Sequence, residues 1–214
     1  MGKLINLRQF NLDSRYPILS NVKFPRVFGR LTSLRTLKYF SLSSKDDSER
    51  CKLGELRNLN HIQGTLRING LGSEVDAYEA ENAQLKNKIG LHTLLLWFDK
   101  WDGEEIIREI DTLVLNVLEP PPNLEDLSIE RYQGPTMFPN WMMSLSNLKR
   151  LYIYYLSLDY LPWIFFENNY KCQTILLVSK GLKLFRYLTN RDQRTRFWGY
   201  RSSILYSISH CASS

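Results

Sequence analysis

Residues 123–129, NLEDLSI, decide how the rest of the chain is read. Leu124 is followed, after two variable residues, by Leu127, and after one more by Ile129. The last two apolar positions alternate, as in a strand whose successive side chains point to opposite faces. The phrase recurs on both sides of this stretch. Toward the N-terminus it stands as Leu91, Leu94 and Leu96 in GLHTLLL, and as Leu66 and Ile68 in TLRI. Further back it is Leu34, Leu37 and Tyr39 in SLRTLKY, and Leu7, Phe10 and Leu12 in NLRQFNL. Toward the C-terminus it is Leu148, Leu151 and Ile153 in NLKRLYI. From one middle apolar residue to the next the steps are 27, 29, 28, 33 and 24 residues.

A single unit of this kind cannot bury its own apolar row, whereas stacked neighbours make one continuous core. Units of roughly 20–29 residues with this phrase are leucine-rich repeats. The expected fold is therefore α/β: a leucine-rich-repeat solenoid whose curved parallel sheet carries helices and loops on its convex side. Residues 1–156 form the repeat domain, incomplete and with about six strand units. Residues 157–214 form an irregular, non-repeat tail or a degenerate cap, because the phrase is lost after Leu156. Both ends read as cut, which suggests a fragment.

The longer steps have room for helices. From Asp76 to Ile89, the residues Val75, Tyr78, Leu85 and Ile89 share one face at helical spacing, and Asp76 with Glu79 has the spacing of a capping box. A second helix follows Asp102, which is paired with Glu105 in the same way. Its apolar positions are Ile106, Ile110, Leu113 and Val117, and Pro120, Pro121 and Pro122 end it because proline lacks the N–H a helix needs.

Composition narrows the function classes. The chain of 214 residues is 43% hydrophobic and 23% charged, ordinary for a globular protein. No apolar run is long enough for a membrane span, and the N-terminus MGKLINLRQF carries no signal region, which points to the cytoplasm. The formal charge is +6, but up to Leu156 there are 20 Lys and Arg against 19 Asp and Glu. From Ser157 onward the counts are 8 and 3, so the basicity sits in the tail and not on the repeats. A basic stripe for nucleic acid is not indicated. Cys51, Cys172 and Cys211 are too far apart for a zinc site or disulfide framework and read as free thiols.

Several stretches resemble the repeat region of plant disease-resistance proteins of the coiled-coil, NB-ARC and leucine-rich-repeat type. GRLTSLRTL (29–37), GELRNLNHIQGTLRINGLG (54–72) and VDAYEAENAQLKNKIGLHTLLLWF (75–98) are similar to successive units of that family. The most specific likeness is LEPPPNLEDLSIERYQGPTMFPNWM (118–142), with its PPPNLE turn, YxG and FPxWM. The resemblance implies a sensor and autoinhibitory repeat region of an intracellular immune receptor. Its implied partners are a pathogen effector, a host target or the nucleotide-binding switch domain of the parent receptor, with no nucleic acid, membrane or small-molecule substrate. The family's switch would bring a P-loop, GxxxxGK[ST], which is absent, so ATP or ADP binding does not carry over and no cofactor is expected. Alternatives are a repeat adaptor for an enzyme complex such as a ubiquitin ligase, and a truncated gene product without function.

No catalytic pattern appears. His61, His92 and His210 are scattered, and His92 is expected to face solvent. No GxSxG elbow frames a serine or cysteine, and the acidic pairs Asp46-Asp47 and Glu104-Glu105 read as solvated charge. The expected working surface is the exposed face of the sheet, formed by residues flanking the buried positions. It comprises Thr93, Leu95, Trp97 and Phe98, then Asp126, Ser128, Glu130 and Arg131, then Arg150, Tyr152, Tyr154 and Tyr155. Exposed aromatics of this kind are enriched at protein interfaces. Trp141 of FPNWM is expected in the core.

Overall fold

A computed structural model describes residues 6–11, 24–42, 51–72, 75–98, 105–134 and 139–156, together with four strands between residues 174 and 206. The chain begins with a short strand, β1 (Gln9–Phe10), paired in parallel with β2 (Thr36–Leu37). The next strands are β3 (Tyr39–Ser41), β4 (Gln63–Leu71), β5 (Gly90–Phe98), β6 (Asp126–Glu130) and β7 (Arg150–Leu156). These five lie in one sheet, with β3 at its edge and each of β4 to β7 paired in parallel with the strand before it, while β1 and β2 form a separate pair.

The register reproduces the repeated phrase. Leu66, Leu94, Leu127 and Leu151 lie side by side across four strands, and so do Ile68, Leu96, Ile129 and Ile153. All eight are fully buried, and the leading leucines Leu34, Leu91, Leu124 and Leu148 are buried with them. Each such leucine contributes about 1.5–3 kcal/mol through burial. Leu12, the third position of the first unit, lies outside the described residues.

The second unit departs from the expected phrase. Phe40, not Tyr39, pairs with Ile68, while Tyr39 pairs with Arg67. The strand breaks at Lys38 between β2 and β3, so one extra residue enters and the pleat alternation shifts by one. Phe40 thereby joins Phe24 and Phe28 in an aromatic cluster with ring centroids 5.5 and 6.2 Å away.

Turns and helices join the strands. Short 3-10 turns span Arg26–Arg30, Leu53–Asn58, Leu85–Asn87 and Asn140–Ser144. Helix α1 (Ala77–Asn82) starts at Asp76, whose carboxylate accepts the Glu79 N–H at 2.7 Å as the capping box requires. It is shorter than its spacing predicts, because Gln84 adopts φ 47 and starts a separate turn. Tyr78 and Ile89 are therefore not core residues but 76% and 70% exposed. Lys88 turns inward where Ile89 turns out.

Helix α2 (Glu105–Val117) ends before the three prolines, as expected. It buries Asp111, Val114 and Leu115, with Ile110 and Val117 packed against the core, and leaves Leu113 55% exposed. Leu113 was expected inside, but Val114 and Leu115 occupy that side of the turn. Asp102 and the Ile106 side chain lie outside the described residues. Trp141 is buried, and its indole N–H donates to the Leu115 carbonyl at 3.0 Å.

Beyond Leu156 the sheet continues. Strand β8 (Thr174–Ser179) pairs in parallel with β7, whereas β9 (Leu184–Leu188), β10 (Arg196–Arg201) and β11 (Ile204–Tyr206) follow antiparallel. The parallel order thus changes to a meander after β8. Among the described residues, no helix is long and apolar enough to cross a membrane.

Candidate binding face

One face of the sheet packs on the leucine rows; the other carries the residues between them. Register places these in lines across the strands. One line runs Thr65, Thr93, Asp126, Arg150; a second runs Arg67, Leu95, Ser128, Tyr152; a third runs Asn69, Trp97, Glu130, Tyr154. Thr93, Leu95, Trp97, Glu130, Arg131, Tyr152 and Tyr154 are partly exposed, and Arg150 is exposed.

Two expected members of the face fall differently. Phe98 is fully buried and packs edge-on against Tyr132 at 5.3 Å, because the alternation of β5 continues past Leu94 and Leu96 and turns it into the core. Ser128 stands in the second line, between Leu95 and Tyr152, but is only 8% exposed. The Tyr155 side chain lies outside the described residues. His92 is exposed, as expected.

The polar part of the face centres on Asp126. Its Oδ2 accepts from the Thr93 hydroxyl at 3.2 Å and from the Arg150 guanidinium. That hydrogen bond makes Arg150 hold its proton more firmly than a free arginine. Next to it Lys149 pairs with Glu125 at 2.9 Å, and this hydrogen bond holds the Glu125 carboxyl below its usual range. These charges are paired with one another, although Asp126 Oδ1 is buried without a hydrogen-bond partner.

The aromatic part is different. Tyr152 and Tyr154 stack nearly parallel, 9° apart, with centroids 6.4 Å apart. Burial and then the nearby Glu130 push the Tyr154 phenol up. Trp97 has a guanidinium over its ring from each neighbouring side: Arg67 at 4.6 Å and Arg131 at 4.3 Å. Arg67 also donates from Nε to Asn69 Oδ1 at 2.9 Å, and Asn69 donates to the Tyr39 hydroxyl at 2.7 Å. Sequence reasoning missed Tyr39, Arg67 and Asn69. The signal for Arg67 was present, since it stands between Leu66 and Ile68 as Leu95 stands between Leu94 and Leu96.

Among the described residues, no group of three or more His, Cys, Asp or Glu is placed to hold a metal ion. A parallel ladder of buried leucine rows backed by turns, with an open face of mixed aromatics and charge, defines a leucine-rich-repeat domain. The family profile described as R13L1/DRL21 LRRs matches residues 53–166, and the chain belongs to that family. The repeat domains of this family are non-catalytic modules for protein–protein interaction. The chain is also 41% identical over 97 residues to the putative disease resistance protein At3g14460 of Arabidopsis thaliana, covering 42% of this chain. It spans 7% of that relative's length. The domain is thus related to plant disease-resistance proteins.

Proposed function

We propose that this chain is the sensor and restraint region of an intracellular plant immune receptor, and that the open face of β4 to β7 is its contact surface. Its partners on this reading are a pathogen-derived protein or the host protein it targets, and the nucleotide-binding switch domain of the parent receptor. The observation that carries the reading is the partly exposed Trp97, with Tyr152 and Tyr154 two strands away. Large aromatics and arginines on an open surface are the residue types that dominate binding energy at protein interfaces. Leu95 adds apolar area beside them, and Thr93, Glu130, Arg131 and Arg150 supply the polar rim.

Site-specific photocrosslinking tests the reading. A benzophenone amino acid at Tyr152, in the full chain expressed in plant cells, is expected to form a protein adduct that Trp97→Ala removes. The same probe at the exposed Tyr78 of α1 is expected to form none. Equal labelling at both positions, or an adduct insensitive to Trp97→Ala, overturns the assignment of the open face.

A further inference from the structure

The geometry points to Arg67, Trp97 and Arg131 as an anchor for an acidic segment of a protein partner, whose carboxylates the two guanidiniums grip. The inference rests on the open face being the binding surface and adds the chemistry of what binds there. Its first support is the pairing pattern of the face. Arg150 and Lys149 are each matched by a carboxylate, Asp126 and Glu125. Neither Arg67 nor Arg131 has a carboxylate within ion-pair distance among the described residues. The cluster therefore has two unmatched positive charges, against Glu130 alone in the same region.

The second support is how the guanidiniums are held. Stacking on an indole engages the flat face of a guanidinium and leaves its in-plane N–H donors available. Arg67 uses only Nε, on Asn69. Among the described residues its terminal nitrogens, and the donors of Arg131, meet no acceptor and are open to a carboxylate, which matches the planar fork. Trp97 thus acts as a positioning residue that keeps both forks from wandering, which lowers the entropy lost on binding.

Backbone geometry adds a third, independent sign. Arg131 adopts φ 61, a left-handed conformation that residues with a side chain rarely take. Its N–H donates to the Tyr154 carbonyl at 2.9 Å, so the turn is fixed to the neighbouring strand. Such outliers persist where the surrounding structure imposes them, often at binding sites. Here the outlier accompanies the placement of Arg131 over Trp97.

Fluorescence anisotropy with the full chain tests the proposal. The probe is a labelled peptide of alternating glutamate and glycine, beside a twin with glutamine for glutamate and a peptide whose only negative group is a phosphoserine. The glutamate peptide is expected to bind and the other two are not. Arg67→Gln and Arg131→Gln should each weaken binding about tenfold, Arg131→Lys less, while Lys86→Gln at an outer turn changes nothing. Circular dichroism checks that each variant folds. As a measurement needing no variant, the glutamate peptide should protect Arg67 and Arg131 of the native chain from phenylglyoxal. Binding of the glutamine twin, preference for the phosphoserine peptide, undiminished binding by both glutamine variants or no protection each overturns the proposal. A surviving crosslink at Tyr152 would then show that the open face binds a partner of other chemistry.

Discussion

Glu79 Oε1 accepts the backbone N–H of Leu53 at 2.6 Å, reaching back 26 positions to the preceding repeat. Glu55 does the same for Gly29 N–H at 2.9 Å, across the same separation of 26. Leu53 opens a 3-10 turn, and the first N–H groups of such turns have no partner within the turn. Glu79 therefore caps the turn before it, while Glu55 binds an N–H inside the preceding turn, and both tie adjacent repeats together on the side opposite the open face. Leucine burial provides most of the stacking energy, and these ties set how the outer turns align.

Removing the tie leaves a backbone N–H without its acceptor. Glu79→Ala should destabilise the chain by about 1–3 kcal/mol, and Glu79→Gln, which keeps an acceptor oxygen, by less. Gly29→Ala should cost a similar amount, because a Cβ there would overlap the Glu55 carboxylate and lie 2.8 Å from its carbonyl oxygen. Urea unfolding measures all three. Equal stability of the alanine and glutamine variants would show that the acceptor contributes nothing.

Gly134 explains the YxG of the sequence. The Tyr132 hydroxyl lies 3.0 Å from Thr112 Oγ1, joining α2 to the end of β6, and a Cβ on Gly134 would fall on both oxygens. Gly134→Ala is expected to lose about 1–3 kcal/mol through overpacking, and Tyr132→Phe about 1 kcal/mol through the lost hydrogen bond. Thermal melts should rank the two variants in that order.

Lys88 is fully buried, with its ammonium donating to the Leu56 carbonyl at 2.7 Å and to Asn60 Oδ1 at 3.3 Å. Burial pushes its pKa down from 10.5 to about 8. Between those values the unfolded chain holds a proton at Lys88 that the folded chain has released, so stability should rise with pH across that window. Below it, both states are protonated and the cost of burying the charge is fully present. Unfolding of the native chain and of Lys88→Met from pH 7.5 to 10.5 should show the native chain gaining relative to the variant. A constant difference would contradict the shift.

Asp111 has the opposite sign. It is 3% exposed, and burial raises its pKa from 3.8 to about 6, partly offset by the Gln133 N–H that its Oδ2 accepts at 3.2 Å. Its Oδ1 is buried without a hydrogen-bond partner. Between pH 3.8 and about 6 the folded state binds the extra proton, so this group's contribution is fully present below pH 3.8 and lost as pH rises through about 6. Asp111→Asn removes the charge and should leave the chain at least as stable at pH 7, with a gain of up to about 3 kcal/mol. Its stability should also be flatter than that of the native chain between pH 4 and 6. A variant that is less stable at pH 7 would show that the carboxylate makes a favourable interaction as an ion.

Much of the face was legible from position alone. Leu95 and Trp97 could be placed because they flank buried leucines in a strict alternation, and Tyr152 and Tyr154 likewise. The rule fails where alternation is interrupted. At Lys38 an extra residue moved Phe40 into the row expected for Tyr39. Phe98 is a different case: the alternation of β5 runs on through it, which places it inside with Leu94 and Leu96 rather than outside with Trp97. The α1 segment failed for another reason: helical spacing shows which residues could share a face, but the left-handed Gln84 stopped the helix before that face was complete.

By itself the sequence determined the repeat, its register across Leu66, Leu94, Leu127 and Leu151, and the family, because burial of an apolar row is local in pattern and repeats with the chain. Only the tertiary structure decided that Arg67 and Arg131, 64 positions apart by their numbers, meet over one indole. It also decided that Glu79 caps Leu53 and that Lys88 is buried while Ile89 is not. These are relations between adjacent repeats, and variable positions acquire neighbours only when the strands that carry them are stacked.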